Sequence, residues 1–283
     1  MSNPDQWAAM REFITGLERK FHENRDLIEA GLRKFTEGMQ EIVVGFQNYV
    51  ETTTRLYPKV KNAAGPLAAR GWFISGYFGT SEFMGLGMQC ETASVDELER
   101  YVADMYRSSV DEHMRDLIRD YPQRAFAIKP AVDAHNRGEY ALSVPLFFTQ
   151  AEGISIAAIN KYIFKNGRSK GDVDENIKDA AMLRLKAIKD LEGSAEAHRM
   201  MSTLVEIMWI PFAEPLPVAY GEKARESNKY DGLNRNTIMH GIALEEYATE
   251  ENSLRAFSML SHVGSLMHKL VEQEKDYPWM QKT

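Results

Sequence analysis

Six apolar residues near the start of the chain recur at intervals of seven, and this spacing constrains the fold more than any other feature. They are Ile14, Phe21, Ile28, Phe35, Ile42 and Tyr49. A period of seven places them along one stripe of an α-helix, where they face a partner helix. The companion stripe shifts by one residue and is interrupted at Asn24. The sequence therefore predicts a long coiled-coil-like helix over residues 1–56, which packs either within the chain or against a second copy.

The remainder of the chain also carries signals for helices and none for strands. Ser94-Val-Asp-Glu97 has the form of a capping box, and Tyr121-Pro122 is expected to end the helix that it opens. No segment alternates apolar and polar residues at period two for long enough to form a strand. We expect an all-α protein. The predicted helices cover residues 94–119, 123–137, 139–164, 172–191, 196–210 and a last segment that starts near residue 249.

Glycine and proline divide the chain into three regions. Pro58, Gly65 and Pro66 interrupt the first periodic segment, and the glycine- and aromatic-rich residues 71–87 predict a loop with short buried helical pieces. We therefore predict the long helix over 1–56, a helical region over 57–130 and a helical domain over 131–275. Gly85-Leu-Gly87 lacks both the third glycine and the preceding strand of a dinucleotide site, so no nucleotide role is assigned to it.

Composition excludes several classes of protein. The chain has 283 residues, 44% of them hydrophobic, so it can bury a substantial core. Its net charge of −7 disfavours a protein that coats nucleic acid through a broad basic face. The single cysteine, Cys90, excludes a disulfide framework, and no window approaches the run of apolar residues that spans a membrane. We expect a cytoplasmic protein with no membrane association.

Several well-known catalytic motifs are absent from the sequence. No histidine follows a glutamate at the spacing of di-iron bundles, and there is no His-Glu-x-x-His, P-loop or Gly-x-Ser-x-Gly motif. We therefore expect no metal and no cofactor. A small-molecule enzyme built on the aromatic segment 71–87 is a further alternative, but that segment offers no recognisable acid, base or ligand set.

One polar constellation remains, in Leu233-Asn-Arg-Asn-Thr-Ile-Met-His-Gly241. Arg235 and His240 have four residues between them, and Asn236 directly follows the arginine. Arg107 with His113 and Arg255 with His262 have similar spacings, but serine and alanine follow those arginines. The sequence around Arg235, together with the upstream segment Glu139–Gly153, resembles the HEPN family, in particular bacterial members linked to phage defence. The resemblance covers about residues 135–275 and implies a helical bundle that cleaves RNA without a metal.

Physical chemistry assigns roles to the two residues independently of the family. Histidine titrates near neutrality and suits proton transfer from a ribose 2′-hydroxyl, so we assign this step to His240. A guanidinium neutralises phosphate through directed hydrogen bonds, which is the role of Arg235. On one helix their side chains would point about 140° apart. The resemblance implies a composite site in a dimer, which solves this difficulty.

Three further residues are candidates for supporting roles. Asn236 lies four residues before His240, so its amide is placed to orient the imidazole or the substrate. Glu152 falls in the most apolar predicted helix, where its carboxylate needs a partner: either Arg235 or a group elsewhere, unless it is simply exposed. Tyr247 either hydrogen-bonds a phosphate or covers the core.

Two functions from different classes follow. The principal hypothesis is a metal-independent endoribonuclease that cleaves RNA by attack of the 2′-hydroxyl, acting as a toxin or phage-defence effector with an antitoxin or defence-system partner. The alternative is a non-catalytic helical oligomer that binds RNA or a protein. Both hypotheses include a homodimer or a higher homo-oligomer.

Overall fold

The computed structural model describes residues 52, 54–159, 203, 206–212, 216–230 and 232–276, together with Thr15 and Lys34. These residues form helices joined by turns and contain no strand, which confirms the predicted all-α class. The chain divides into two units, Met1–Glu51 and Thr52–Thr283. The predicted heptad helix and the helix predicted over 172–191 lie outside the described residues.

Nine helices follow one another within the described part of the chain. They are α1 (54–69), α2 (Thr80–Thr92), α3 (Val95–Asp120), α4 (Ala125–Asn136), α5 (Tyr140–Ile159), α6 (206–212), α7 (Glu222–Asn228), α8 (Arg235–Met239) and α9 (Glu250–Asp276). Short 3₁₀ turns cover Pro122–Arg124, Pro217–Ala219 and Glu245–Tyr247. Helix α9 packs against α5 and α3, and α5 packs against α4.

The prolines and the glycine predicted to interrupt the first periodic segment lie inside α1. This prediction was wrong because the apolar stripe continues through them: Leu56, Val60 and Leu67 are each fully buried. Burial of this stripe outweighs the backbone hydrogen bonds that proline removes. Of the segment predicted as a loop with short buried helical pieces, residues 71–79 are non-helical and residues 80–87 belong to the regular helix α2.

The glycines of α2 allow its neighbours to approach closely. A side chain at Gly87 would lie 2.6 Å from Cβ of Leu56, and one at Gly85 would lie 2.6 Å from the Tyr101 hydroxyl. Burial raises the pKa of the half-buried Cys90 thiol, on the same helix, to about 11. The glycines therefore serve helix packing, and the thiol stays protonated at neutral pH.

Capping signals fixed the ends of the central helices as the sequence predicts. The Ser94 side chain accepts a hydrogen bond from the Glu97 N–H while the Glu97 carboxylate accepts one from the Ser94 N–H, so both halves of the capping box are present at the start of α3. Gly138 follows α4 with φ +77°, the left-handed conformation expected there. Helix α4 runs through Pro130, so the boundary predicted at residue 130 falls within a helix.

Helix α5 is the most apolar part of the described core. Its segment 140–158 is long and apolar enough by composition to cross a membrane, contrary to the expectation that no window approaches such a run. However, Phe147, Phe148 and Ile154 are buried in the protein, and the helix packs against α4 and α9. A core helix meets the same criterion, so the described residues give no clear sign of a membrane protein.

The non-helical segment 72–76 is buried beneath α9, and side chains satisfy its backbone. The hydroxyls of Ser258 and Ser265 accept hydrogen bonds from the N–H groups of Phe73 and Gly76, at 3.2 and 2.9 Å. The Tyr106 hydroxyl accepts from the Ser75 N–H and donates to the Phe73 carbonyl. A buried loop is tolerated only when its polar groups are paired in this way.

Candidate functional site

The motif lies on a short helix that Asn234 anchors. The Asn234 side chain accepts a hydrogen bond from the Thr237 N–H at 3.0 Å, which caps α8. Its amide also donates to the carbonyls of Pro217 and Tyr220 at 3.1 and 3.0 Å. Asn234 is buried, so this one residue joins the start of α8 to the 3₁₀ turn 217–219. The position of the following arginine is thereby fixed.

Arg235 points inward and forms an ion pair with Glu152 of α5. The side chains are only 14% and 13% exposed, so both charges are largely removed from solvent and compensate each other. The Arg235 guanidinium also donates to the Asn236 side-chain oxygen at 2.9 Å. Of the three environments considered for Glu152, the structure shows the partnership with Arg235.

The Asn236 side chain holds Arg235 rather than His240. Its oxygen accepts the hydrogen bond from Arg235, while its amide nitrogen donates to the carbonyls of Ala219 and Tyr220 at 3.1 Å each. These partners occupy both ends of the amide. The predicted contact between Asn236 and the imidazole is therefore not formed, because the amide faces the 217–220 turn.

His240 ends α8 on a tight bend that projects it into solvent. Its N–H donates to the Asn236 carbonyl at 3.1 Å, and Gly241 follows with φ +68°, where glycine is favoured. The chain then folds back, since the Ile242 N–H donates to the Thr237 carbonyl at 2.8 Å. The His240 residue is exposed. Arg235 and His240 therefore face different directions within one chain, as the five-residue separation predicts.

The histidines of the other two Arg–His pairs lie in a different environment from His240. His113 is 1% exposed and bonded to Ser261, and His262 is fully buried with Nδ1 2.6 Å from the Ile74 carbonyl. Burial lowers the pKa of each imidazole to about 4. These histidines are core residues. Of the three spacings, only the one at Arg235 places its histidine at the surface.

Tyr247 covers the side of the bundle near the start of α5. Its hydroxyl donates to the Ala141 carbonyl at 3.2 Å, and the residue is half-buried against the core. This arrangement matches the packing alternative for Tyr247. The same contact brings the turn 245–247 close to Leu142, which is exposed.

An apolar surface surrounds the histidine-bearing bend. Ile242 and Leu244 follow His240 directly and are 66% and 73% exposed, and Leu142 is 56% exposed. Single exposed apolar residues are ordinary, whereas three on neighbouring segments are typical of a contact surface. We refer to Leu142, Ile242 and Leu244 as the apolar rim.

A pocket of about 240 Å³ opens beside the bend, and sequence reasoning missed it. Its wall includes Arg225 of α7, Glu246 of the 3₁₀ turn, and Asn252 and Arg255 of α9. These residues come from three separate elements and share no motif. The only signal in the sequence was the general polarity of the stretch between the prolines and α9.

The two arginines of the pocket have different surroundings. Arg255 forms ion pairs with Glu99 and Glu251 and lies over the Trp72 ring, 5.5 Å from its centroid. Burial alone would raise the pKa of Glu99, but hydrogen bonds from Arg255 and other donors outweigh it and hold that pKa below the usual value. Arg225 forms no ion pair with any residue that the structure describes.

The described residues contain no group of three histidine, cysteine or acidic side chains that is arranged to hold a metal ion. The chain is thus a helical protein with a surface imidazole beside an internally paired arginine. Comparison with models of protein families, with curated proteins and with solved structures finds no match. The HEPN resemblance therefore depends on the motif residues and their surroundings.

Proposed function

We propose that the protein is a metal-independent endoribonuclease of the HEPN type, acting in the cytoplasm. One observation carries the proposal: the Arg235–His240 spacing, alone among the three in the chain, ends in a surface histidine. A general base must reach the proton that it moves, which buried histidines cannot do. His240 accepts the proton of a ribose 2′-hydroxyl, and the resulting alkoxide attacks the adjacent phosphorus. The leaving 5′-oxygen then takes up a proton and a 2′,3′-cyclic phosphate remains.

Arg235 is the cation assigned to this step, and within one chain it is paired with Glu152. Glu152 and Asn236 fix its guanidinium, so little reorganisation is needed when negative charge builds up on the phosphate. Within one chain, however, the arginine points inward while the histidine points outward. A second copy related by a two-fold axis brings two such segments together, and the phosphate then lies between groups from both chains.

The apolar rim supports this dimer. Leu142, Ile242 and Leu244 flank the histidine-bearing bend, so an isologous contact through them places the two bends side by side. Replacing Leu244 with glutamate should separate the copies and abolish cleavage. Met88→Glu is the matched control, since Met88 is also exposed but lies on α2 outside the rim. Analytical ultracentrifugation, with activity measured over a dilution series, tests both variants.

The function is tested with purified full-length protein and total RNA in excess EDTA. Wild-type protein should produce fragments that end in a 2′,3′-cyclic phosphate. His240→Ala should lower the rate by about 10²- to 10⁴-fold. Because His240 is exposed, its replacement should leave the melting temperature unchanged. His268→Ala, at a partly exposed histidine of α9, should cut like the wild type. Equal cleavage by His240→Ala would exclude the assigned role.

The burial of Arg235 favours a second candidate, a non-catalytic bundle that binds RNA or a protein. An ion pair that is 14% and 13% exposed is also what a purely structural contact looks like. In this case RNA would be retained in a gel-shift assay but not cut. The His240→Ala variant would then behave like the wild type in both assays.

A further inference from the structure

The pocket beside the bend is built from opposite charges on separate walls. Arg225 and Glu246 both line it, yet they do not form an ion pair with each other. Glu246 accepts a hydrogen bond from the Leu244 N–H at 3.2 Å, which orients its carboxylate. The Nε atom of Arg225 is buried and has no hydrogen-bond partner. The Arg225 guanidinium and the Glu246 carboxylate therefore line the pocket, and neither has a charged partner among the described residues.

The remaining wall is mixed, with apolar side chains beside the polar side chains of Asn234, Thr237 and Asn252. Leu233, Ile238, Ile242 and Ala243 line the pocket together with Tyr247, whose hydroxyl is held by the Ala141 carbonyl. Polar groups held in place beside apolar side chains can orient a small planar ligand.

The charges of the pocket disfavour a bare phosphate. Arg255 is already compensated by Glu99 and Glu251, and Glu246 would repel an anion. Only Arg225 would attract one. A neutral ring that carries both acceptors and donors on its edge suits this lining better, and nucleobases have this property.

The location of the pocket connects it to the bend. Ile238 and Ile242 both line it, and each is two residues from His240. Two residues span at most about 7 Å of chain. A base in the pocket would thus belong to the nucleotide whose phosphate, or whose neighbouring phosphate, lies at His240.

We propose that this pocket binds a guanine base of the RNA substrate and so selects the cleavage position, an inference that rests on the proposed function. The Arg225 guanidinium donates to O6 and N7 of the base, a pairing that arginine makes readily. The Glu246 carboxylate accepts from the N1–H and N2–H groups on the adjacent Watson–Crick edge. Uracil and cytosine offer no equivalent of N7, and adenine carries a donor where guanine has O6, so each satisfies the pair less well.

Nucleotide binding tests the pocket separately from catalysis. Guanosine, adenosine, cytidine and uridine monophosphates and inorganic phosphate are titrated into full-length protein, and the dissociation constants are measured by calorimetry. Guanosine monophosphate should bind at least about tenfold more tightly than the others, the discrimination that one good base contact supplies. His240→Ala should bind it equally well.

Matched variants identify the residues that bind. Glu246→Gln removes the charged acceptor and should weaken binding of guanosine monophosphate at least about tenfold. Glu245→Gln is the control, because Glu245 is its exposed neighbour on the same 3₁₀ turn and lies outside the pocket lining. Arg225→Gln should have a similar effect to Glu246→Gln, with Lys223→Gln on the same helix as control. Ala243→Leu fills the pocket and should abolish binding.

Sequencing of the fragment ends then tests the role in cleavage. Wild-type protein should cut at a fixed position relative to guanine, and Glu246→Gln should reduce that preference at least about tenfold while Glu245→Gln retains it. Equal binding of all four nucleotides, equal competition by inorganic phosphate, or loss of binding in none of the pocket variants would overturn the proposal. If guanosine monophosphate binds as expected but no RNA is cut, the nuclease function fails while the base site remains.

Discussion

The ion pair between Arg235 and Glu152 leads to a specific prediction about the stability of the folded protein. Replacing Arg235 with methionine keeps much of its volume but leaves the Glu152 carboxylate, 13% exposed, without its cation. Loss of one member of a buried pair destabilises a protein by about 3–5 kcal/mol. Because this pair keeps some exposure, we expect a loss of about 3 kcal/mol, the lower end of that range. For a protein of this size we expect the melting temperature to fall by about 6–12 °C.

A double-mutant cycle separates the pair from its surroundings. Arg235→Met combined with Glu152→Leu removes both charges and should unfold within about 1 kcal/mol of the wild type, because apolar residues can replace a buried pair. Arg137→Met is the control: Arg137 pairs with Glu139, but the side chains are 58% and 42% exposed. Its loss should leave the urea concentration at the midpoint of unfolding unchanged, because exposed ion pairs contribute little to stability.

Urea denaturation at pH 7.5 measures all four proteins of the cycle and the control. A coupling free energy below about 0.5 kcal/mol, or an Arg235→Met protein as stable as the wild type, would refute the account of the pair as a buried and mutually compensated contact. The double variant also has a second use. If it is folded but does not cleave RNA, the loss of activity reports on chemistry and not on unfolding.

Three further predictions concern the core. Ser258→Ala leaves a buried backbone N–H without its acceptor, so urea denaturation should show a loss of about 1–3 kcal/mol. Gly264→Ala places a methyl group against Leu117 where α3 and α9 touch, and should lower the melting temperature, whereas a wild-type melting temperature would contradict this packing. The pKa values of His113 and His262 are about 4 in the folded chain, below the usual 6.5, so the unfolded chain takes up protons first. The contribution of each neutral imidazole to the free energy of unfolding should therefore be fully present above about pH 6.5 and fall as the pH drops towards 4, by about 1.4 kcal/mol per pH unit. A melting temperature that does not change across this range would exclude that protonation.

Local signals in the sequence were sufficient to predict where the central helices begin and end. The capping box at Ser94 and the glycine at 138 act on the backbone within one turn, so their effect does not depend on distant residues. The prediction at Pro58 and Pro66 was wrong because the helix there depends on distant residues. The local effect of the two prolines is unfavourable to a helix, but the burial of the apolar stripe of α1 is a tertiary contribution that the local sequence does not reveal.

The residues of the candidate site were predictable only where their chemistry and their separation along the sequence both pointed to a shared role. Arg235 and His240 share a short segment, and the need of Glu152 for a cation followed from its apolar helix. The pocket was not predictable, since Arg225 and Glu246 meet only after α7 and the 245–247 turn have folded onto the bend. Likewise, no sequence pattern indicates that the Asn236 amide faces the 217–220 turn and not the imidazole.

Hydrogen bonding and burial sort the polar residues of this chain into two groups with different expected behaviour. Ser258, His113 and Arg235 are held inside the protein by specific partners, so their replacement must change stability whatever the protein does. His240 and Glu246 are exposed, and their contacts contribute little to the core. Polar groups that the fold does not need, gathered around one bend, require another reason for their arrangement. If their variants alter RNA cleavage at an unchanged melting temperature, that reason is function. If stability and activity always fall together, the bend is only a structural turn.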